Sequence, residues 1–312
     1  MATKLELPLV LTLRPFPFIP SFQAKFSNQF TTIKRSDLSL PLNEFLEKRL
    51  TAITKEILNC LPSLSCIVLT CTGLDHIDLD ECKKRGISVC NTGTVYSEDV
   101  ADFAVGLLID VLRRISHADR YVRAGLWPVK GEFPLGSKLS GKRVGIVGLG
   151  SIGSEVAKRL KAFDCIISYT SRNKKPSVPF SYYTNVVDLA SNNDVLILTC
   201  ELNKETFHII NKEVITALGE KGVIINVGRG ALIDEKEMVR CLVQGEIGGA
   251  GLDVFENEPH VPEELFELDN VVLAPHKAVL THESFSDLHE LLISNLEAFF
   301  SNKPLLSVVK YD

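Results

Sequence analysis

The loop Gly148-Leu149-Gly150-Ser151-Ile152-Gly153 stands between an apolar strand pattern, Arg143-Val-Gly-Ile-Val-Gly148, and a helical one, Glu155-Val-Ala-Lys-Arg-Leu-Lys-Ala-Phe163. Such glycines suit a dinucleotide pyrophosphate. Gly148 permits a tight turn and Gly150 lets the backbone approach phosphates. Gly153 lets helix and strand pack closely beneath a helix N-terminus, whose free N–H groups and dipole attract anions. The plain alternative is an ordinary glycine-rich turn, which the strand–loop–helix setting disfavours. At the end of the second strand pattern, Cys165-Ile-Ile-Ser-Tyr-Thr170, the chain continues Ser171-Arg172-Asn173-Lys174-Lys175. An NAD-binding protein usually places Asp or Glu there, on the ribose 2′-hydroxyl. No carboxylate is present to repel a 2′-phosphate, and Ser171, Arg172 and Asn173 form the candidate 2′-phosphate contacts, helped by Lys174 or Lys175. NADPH is therefore the expected cofactor, with NADH a weaker substitute. A solvated basic loop is the alternative.

Three further polar residues fall at the ends of later strands, where ligands gather outside the carboxyl edge of a parallel sheet. Arg229 lies in Asn226-Val-Gly-Arg-Gly230, Glu258 in Asp253-Val-Phe-Glu-Asn-Glu-Pro259, and His276 closes Leu273-Ala-Pro-His276. A guanidinium, a carboxylate and an imidazole on one edge can bind an anion and move a proton. Glu256 is a near neighbour of Glu258, but the Glu-Pro step favours Glu258. Of the seven histidines, only His276 joins a strand end to a preceding proline; His76, His117, His208, His260, His282 and His289 read as structural or solvent-facing.

The elements that must position these residues alternate between short apolar runs and helix-period segments, the pattern of parallel α/β structure. A first group of strands is expected at 8–13, 29–33, 65–70 and 87–90, followed by one long amphipathic helix over 98–124 that bridges two domains. A second group follows at 143–148, 165–170, 194–199, 222–227, 248–253 and 271–274, with helices near 151–163, 211–218 and 234–245. Six parallel strands complete a doubly wound domain. The last helix, about 283–301, follows the finished sheet and is expected to return to the first domain.

These segments, together with Gly73-Leu-Asp-His-Ile-Asp78 and Val100-Ala-Asp102, resemble the D-isomer-specific 2-hydroxyacid dehydrogenases over roughly residues 55–310. The wording is closest to the plant glyoxylate/hydroxypyruvate reductases and hydroxyphenylpyruvate reductases. The resemblance implies two doubly wound parallel-sheet domains of α/β class. A Rossmann coenzyme domain (96–283) would be inserted in a flavodoxin-like substrate domain (1–95 and 284–312). It implies an NAD(P)H-dependent oxidoreductase, in which a hydride from NADPH passes to the keto carbon of a small 2-oxo acid while protonated His276 donates to the oxygen. Glu258 would hold and charge-stabilise the imidazolium, and Arg229 would bind the substrate carboxylate and polarise the carbonyl. Thr72 and Gly73 look like the family's backbone carboxylate cradle. Asp253 would orient the nicotinamide carboxamide, with Val227, Gly228 and Arg229 lining that pocket. The helix at 98–124 and Leu126-Trp-Pro128 resemble the arm through which family members form homodimers.

Composition excludes other classes. Of 312 residues, 45% are apolar and 23% charged, and no apolar run approaches the ~20 residues of a membrane span. A net charge of −5 without a basic block argues against nucleic-acid or membrane partners. The eight cysteines form no C-x-x-C pair and no zinc-spaced cluster, so no metal is expected. They read as buried thiols of a reducing compartment, with the cytosol as default since no peroxisomal tripeptide ends the chain. Residues 1–36 loosely resemble a transit peptide, although Pro8-Leu-Val-Leu-Thr-Leu13 reads as a core strand.

Three departures from the family pattern stand out. Lys277-Ala-Val279 follows His276 where a Gly-Ser type continuation is common, and Glu201 stands where proline is common. Near 50–54 relatives have an additional strand and loop, whereas Leu42, Phe45, Leu46, Leu50, Ile53, Ile57 and Leu61 keep one helical period here. That gap raises the alternative of a remnant whose cofactor binding outlasts its turnover. A second alternative is a dinucleotide-sensing interaction module, since the superfamily's corepressors keep the Arg, Glu and His.

Overall fold

The computed structural model describes residues 7–12, 20–34 and 52–310. The chain divides into two compact units, Met1–Val95 with His282–Asp312, and Tyr96–Thr281. The second boundary falls at 281, not the expected 283.

In the first unit, β1 (Leu9–Thr12) pairs in parallel with β2 (Thr31–Lys34) across α1 (Pro20–Gln29). One face of α1 carries Phe22 and Phe26 at helical spacing, and these, with Phe30 just after the helix, are buried in a run of tilted rings. The short helix α2 (Lys55–Asn59) precedes β3 (Cys66–Val68), α3 (Leu79–Arg85) and β4 (Ser88–Cys90), and β3 and β4 are also parallel. Leu58, Ile67, Cys82, Ile87 and Val89 close a small core there. Residues 42–51 of the expected helix over 42–61 lie outside the described residues. Within the described part, helix begins only at Lys55, because Ile53 pairs as a parallel bridge with Ile77 and Thr54 is extended. A helical apolar period over 53–61 thus overstates the helix: Ile53 is apolar as a bridge residue.

The second unit begins with α4 (Ser97–Arg113) and α5 (Ile115–Arg123), not with one helix over 98–124. Arg114 adopts a left-handed conformation at φ 56°, and Asp110 accepts hydrogen bonds from the N–H and hydroxyl of Ser116, capping the new helix. The apolar period survives the break, so sequence spacing does not reveal it. After α6 (Trp127–Lys130) comes a seven-stranded parallel sheet. Its strands are β5 (Arg143–Val147), β6 (Ile166–Thr170), β7 (Ser181–Tyr183), β8 (Val195–Leu198), β9 (Val223–Asn226), β10 (Gly249–Leu252) and β11 (Val271–Leu273). They lie in the order β11-β10-β9-β8-β5-β6-β7, so the direction of winding reverses at β5, the position where α/β sheets open a ligand crevice. The edge strand β7 adds to the six expected. All four residues of each of β8, β9 and β10 are buried, which is why these segments are apolar apart from Asn226 at the end of β9. Around the sheet run α7 (Ser151–Lys161), α8 (Val186–Ser191), α9 (Lys212–Leu218) and α10 (Glu235–Val243); α8 was not expected. No described helix is long and apolar enough to cross a membrane.

The final helix, α11 (His282–Phe300), belongs to the first unit. Its His289 is buried and stacked on Phe22 at 3.8 Å, and its Nε2 has no hydrogen-bond partner among the described residues. Burial alone pushes this imidazole below the ordinary histidine value. Below about pH 6.5 the unfolded chain therefore binds the proton more readily than the folded one, and stability is lost as pH falls through that window. His289→Phe is expected to flatten the fall in melting temperature between about pH 6.5 and 5; an unchanged slope would contradict this account.

All eight cysteines are free. Cys82, Cys90, Cys165 and Cys241 are buried, but Cys60 is exposed and Cys66, Cys71 and Cys200 are half-buried, so the expectation of uniformly buried thiols holds for only half of them.

Candidate active site

The turn from β5 into α7 is built as its glycines require. Gly148 has φ 96°, and a Cβ there would lie 2.6 Å from the backbone of Cys200; one on Gly153 would lie 2.3 Å from the Gly148 carbonyl oxygen. Both positions therefore exclude side chains. Gly150, the residue capping α7, faces open space, as a backbone that must admit a phosphate should. Leu149 is buried, whereas Ser151 is exposed on the first turn. Thr199 at the end of β8 donates its hydroxyl to the Gly148 carbonyl at 2.6 Å and fixes the turn.

Beyond β6, Arg172, Asn173 and Lys174 are exposed. The Ser171 hydroxyl donates to the Asn173 carbonyl at 2.7 Å, so its proton is already committed within the loop and direct anion contact falls mainly to Arg172.

The imidazole Nδ1 of His276 lies 2.7 Å from Glu258 Oε2. An ionised carboxylate only accepts, so Nδ1 carries the proton of this bond and Nε2 is left for a ligand. Glu258 Oε1 accepts the Phe255 N–H at 3.1 Å. Burial pushes the Glu258 carboxyl upward, but the His276 and Phe255 hydrogen bonds, with the charges of His276 and Arg229, outweigh it and hold the group below its ordinary range. Glu256 turns elsewhere, to His208 Nε2 at 3.1 Å.

Sequence reasoning missed the residues that hold this geometry. Asn226, fully buried at the end of β9, accepts the Gly228 N–H at 3.0 Å and donates to the Arg229 carbonyl at 2.9 Å, so it fixes the backbone on both sides of Val227-Gly228-Arg229. Its place in Asn-x-x-Arg at a strand end was the available signal. Gly230 abuts Phe255: a Cβ there would sit 1.9 Å from the Phe255 carbonyl carbon, so the Arg229 turn and the Glu258 loop touch backbone to backbone. The buried Glu235 accepts the Glu256 N–H at 2.9 Å and secures the same loop.

Asp253 is engaged with the main chain around His276. It is 1% exposed, and its two carboxylate oxygens accept the N–H groups of Lys277 at 2.7 Å and Ala278 at 3.0 Å, while its carbonyl accepts the His276 N–H at 2.7 Å. These bonds hold His276 at φ 54°, a left-handed conformation uncommon for a residue other than glycine. Burial pushes the Asp253 carboxyl above its usual range against the pull of those two N–H groups. Asp253 thus grips the His276 turn.

In the first unit, the Thr72 carbonyl accepts from Asn91 Nδ2 at 3.0 Å and the Thr72 hydroxyl pairs with that of Thr92 at 2.7 Å. The Gly73 carbonyl takes a longer contact from the Cys71 thiol, at 3.6 Å. The loop after β3 is therefore pinned from the loop after β4.

Residues 105–278, more than half of the chain, match the D-isomer specific 2-hydroxyacid dehydrogenase NAD binding domain. The chain belongs to that family. Like other members, this dehydrogenase is an NAD(P)H-dependent oxidoreductase carrying a nicotinamide-dinucleotide domain. It is 56% identical to a glyoxylate/hydroxypyruvate reductase of Arabidopsis thaliana over 324 aligned positions, covering 100% of both chains. It is 55% identical to a hydroxyphenylpyruvate reductase of Plectranthus scutellarioides, covering 81% of each. Among solved structures it is similar to an NADPH-dependent glyoxylate/hydroxypyruvate reductase of Sinorhizobium meliloti, in complex with NADP and malonate. That similarity has a TM-score of 0.87 and 36% identity, over 97% of this chain and 96% of that one.

Proposed function

We propose that this family member reduces a small 2-oxo acid, of the glyoxylate, hydroxypyruvate or hydroxyphenylpyruvate type, to the 2-hydroxy acid with NADPH. The observation that carries the reading is the 2.7 Å His276–Glu258 pair on the sheet edge that also carries Arg229. The named relatives act on these acids, which supports the substrate class. The open face at Gly150 and the N-terminus of α7 fit the cofactor's pyrophosphate, and Arg172 fits its 2′-phosphate. When bound, the reduced nicotinamide supplies the hydride for the keto carbon. Arg229 holds the substrate carboxylate and polarises the carbonyl, and His276 gives its Nε2 proton to the keto oxygen. Glu258 keeps the imidazole oriented, Asp253 and Asn226 hold the turns that present His276 and Arg229, and in the first unit the N–H groups of Thr72 and Gly73 are candidate carboxylate donors.

Steady-state assay with NADPH, NADH and a panel of 2-oxo acids tests this. One of the three acids should give kcat/KM above ~10⁴ M⁻¹s⁻¹, within the usual enzyme range. NADPH binding without turnover of any 2-oxo acid would instead support the remnant reading, which relatives named as reductases do not favour. An interaction module is disfavoured on the same ground.

Glu258→Gln removes the carboxylate that accepts the His276 Nδ1 proton and orients the ring, so turnover is expected to fall while NADPH affinity stays near that of the wild type. In the wild type the acid side of the reduction profile should stay flat through the ordinary carboxylate range, because the Glu258 carboxyl is held below it. Unchanged turnover in Glu258→Gln would count against the assigned donor.

Exposed Ile115, Val122, Trp127, Val129 and Leu135 form an apolar series over α5, α6 and the segment after it, which supports a homodimer covering this arm. Sedimentation equilibrium tests it, since a monomer at micromolar concentration would refute it. Eight free thiols support a reducing compartment such as the cytosol, which imaging of the tagged chain would check.

A further inference from the structure

The loop between β6 and β7 returns the chain to a parallel neighbour in residues 171–180 without a helix, although parallel connections usually contain one. Two tyrosines replace that support. Tyr169 on β6 is fully buried, and its hydroxyl accepts the Lys175 N–H at 2.7 Å and faces the Lys175 carbonyl at 3.4 Å. Tyr182 on β7 stands opposite Tyr169 in register, its ring centroid 5.3 Å away, and donates its hydroxyl to the Ser171 carbonyl at 3.2 Å. Between these anchors the Ser171 hydroxyl closes onto the Asn173 carbonyl. Residues 171, 173 and 175 are thus tied through their backbones, while the alternate side chains of Arg172 and Lys174 remain exposed.

We propose that Tyr169 and Tyr182 are positioning residues for cofactor selection, which rests on reading Ser171–Arg172 as the 2′-phosphate pocket. Their hydroxyls clamp the stretch 171–175 at its two ends, so that Arg172 is presented in one backbone setting and little order has to be gained when a phosphate arrives. Neither hydroxyl needs to touch the cofactor. The edge strand β7 gains a purpose from this, since it carries Tyr182 to the loop.

Calorimetric titration of the full chain with NADPH and with NADH reads the effect without turnover. The wild type should bind NADPH more tightly. Tyr169→Phe and Tyr182→Phe keep the rings and remove only the hydroxyls. Each should weaken NADPH binding about fivefold, the scale of one hydrogen bond, and leave NADH within twofold. In an Arg172→Ala background the same changes should add nothing, because the residue they present is gone. If Tyr169→Phe does not fold, the less buried Tyr182→Phe carries the test. A wild type that prefers NADPH with tyrosine variants that keep the full preference would overturn the clamp alone. Equal loss of affinity for both cofactors would also overturn it, as general damage to the fold. Equal wild-type affinities would overturn the phosphate-pocket reading, and the clamp with it.

Discussion

His276→Ala is expected to lower turnover of the 2-oxo acid by at least ~10²-fold while NADPH affinity stays near that of the wild type, because a positioned proton donor contributes on that scale. The two effects separate because the imidazole is held from the β10–β11 side, by Glu258 and the Asp253 backbone, whereas the pyrophosphate turn belongs to β5 and α7. Arg229→Ala should cost a similar factor by removing the charged fork from the carboxylate and the carbonyl. Combining the two should cost less than the product of the single losses, since groups that act as one unit are not additive. Pre-steady-state reduction and cofactor titration on the same preparations would measure both quantities. Near-normal turnover in His276→Ala would remove His276 from the reaction.

Arg172→Asp should reverse the cofactor preference. A charge-assisted contact to the 2′-phosphate is worth ~1.5–3 kcal/mol, so the wild type should favour NADPH over NADH by roughly tenfold to a hundredfold in kcat/KM. The substituted carboxylate repels that phosphate and can accept from a free 2′-hydroxyl. Ser171→Ala should have a smaller direct effect, because the hydroxyl proton is spent on the Asn173 carbonyl. A wild type that used NADH equally well would refute the assignment.

What the sequence revealed was what spacing and strand ends can encode. The glycine loop was legible because steric exclusion at Gly148 and Gly153 leaves one residue type, and Glu258 was separable from Glu256 by the proline that follows it. The strands of the second sheet were legible because buried parallel strands are near-continuous apolar runs. Contacts that depend on tertiary approach were not. Asp253 meets the N–H groups of residues 24 and 25 positions later, a pairing no local pattern announces. The three-residue β7 has too few positions to show alternation, and the Arg114 break leaves the apolar period intact. In the first unit, the bridge at Ile53 was masked by a helical period that included it.

The grip of Asp253 on main-chain amides alone bears on how this enzyme could be re-engineered. Position 277 must contribute an N–H and nothing else, and Lys277 is exposed, whereas Ala278 is 6% exposed and leaves room only for a small side chain. A saturation library at 277 should therefore keep the acid–base pair in register for every residue except proline, which lacks the amide hydrogen. Lys277-Ala-Val279 is then one admissible spelling among many, and the codon directly after the histidine is open to selection for new substrates.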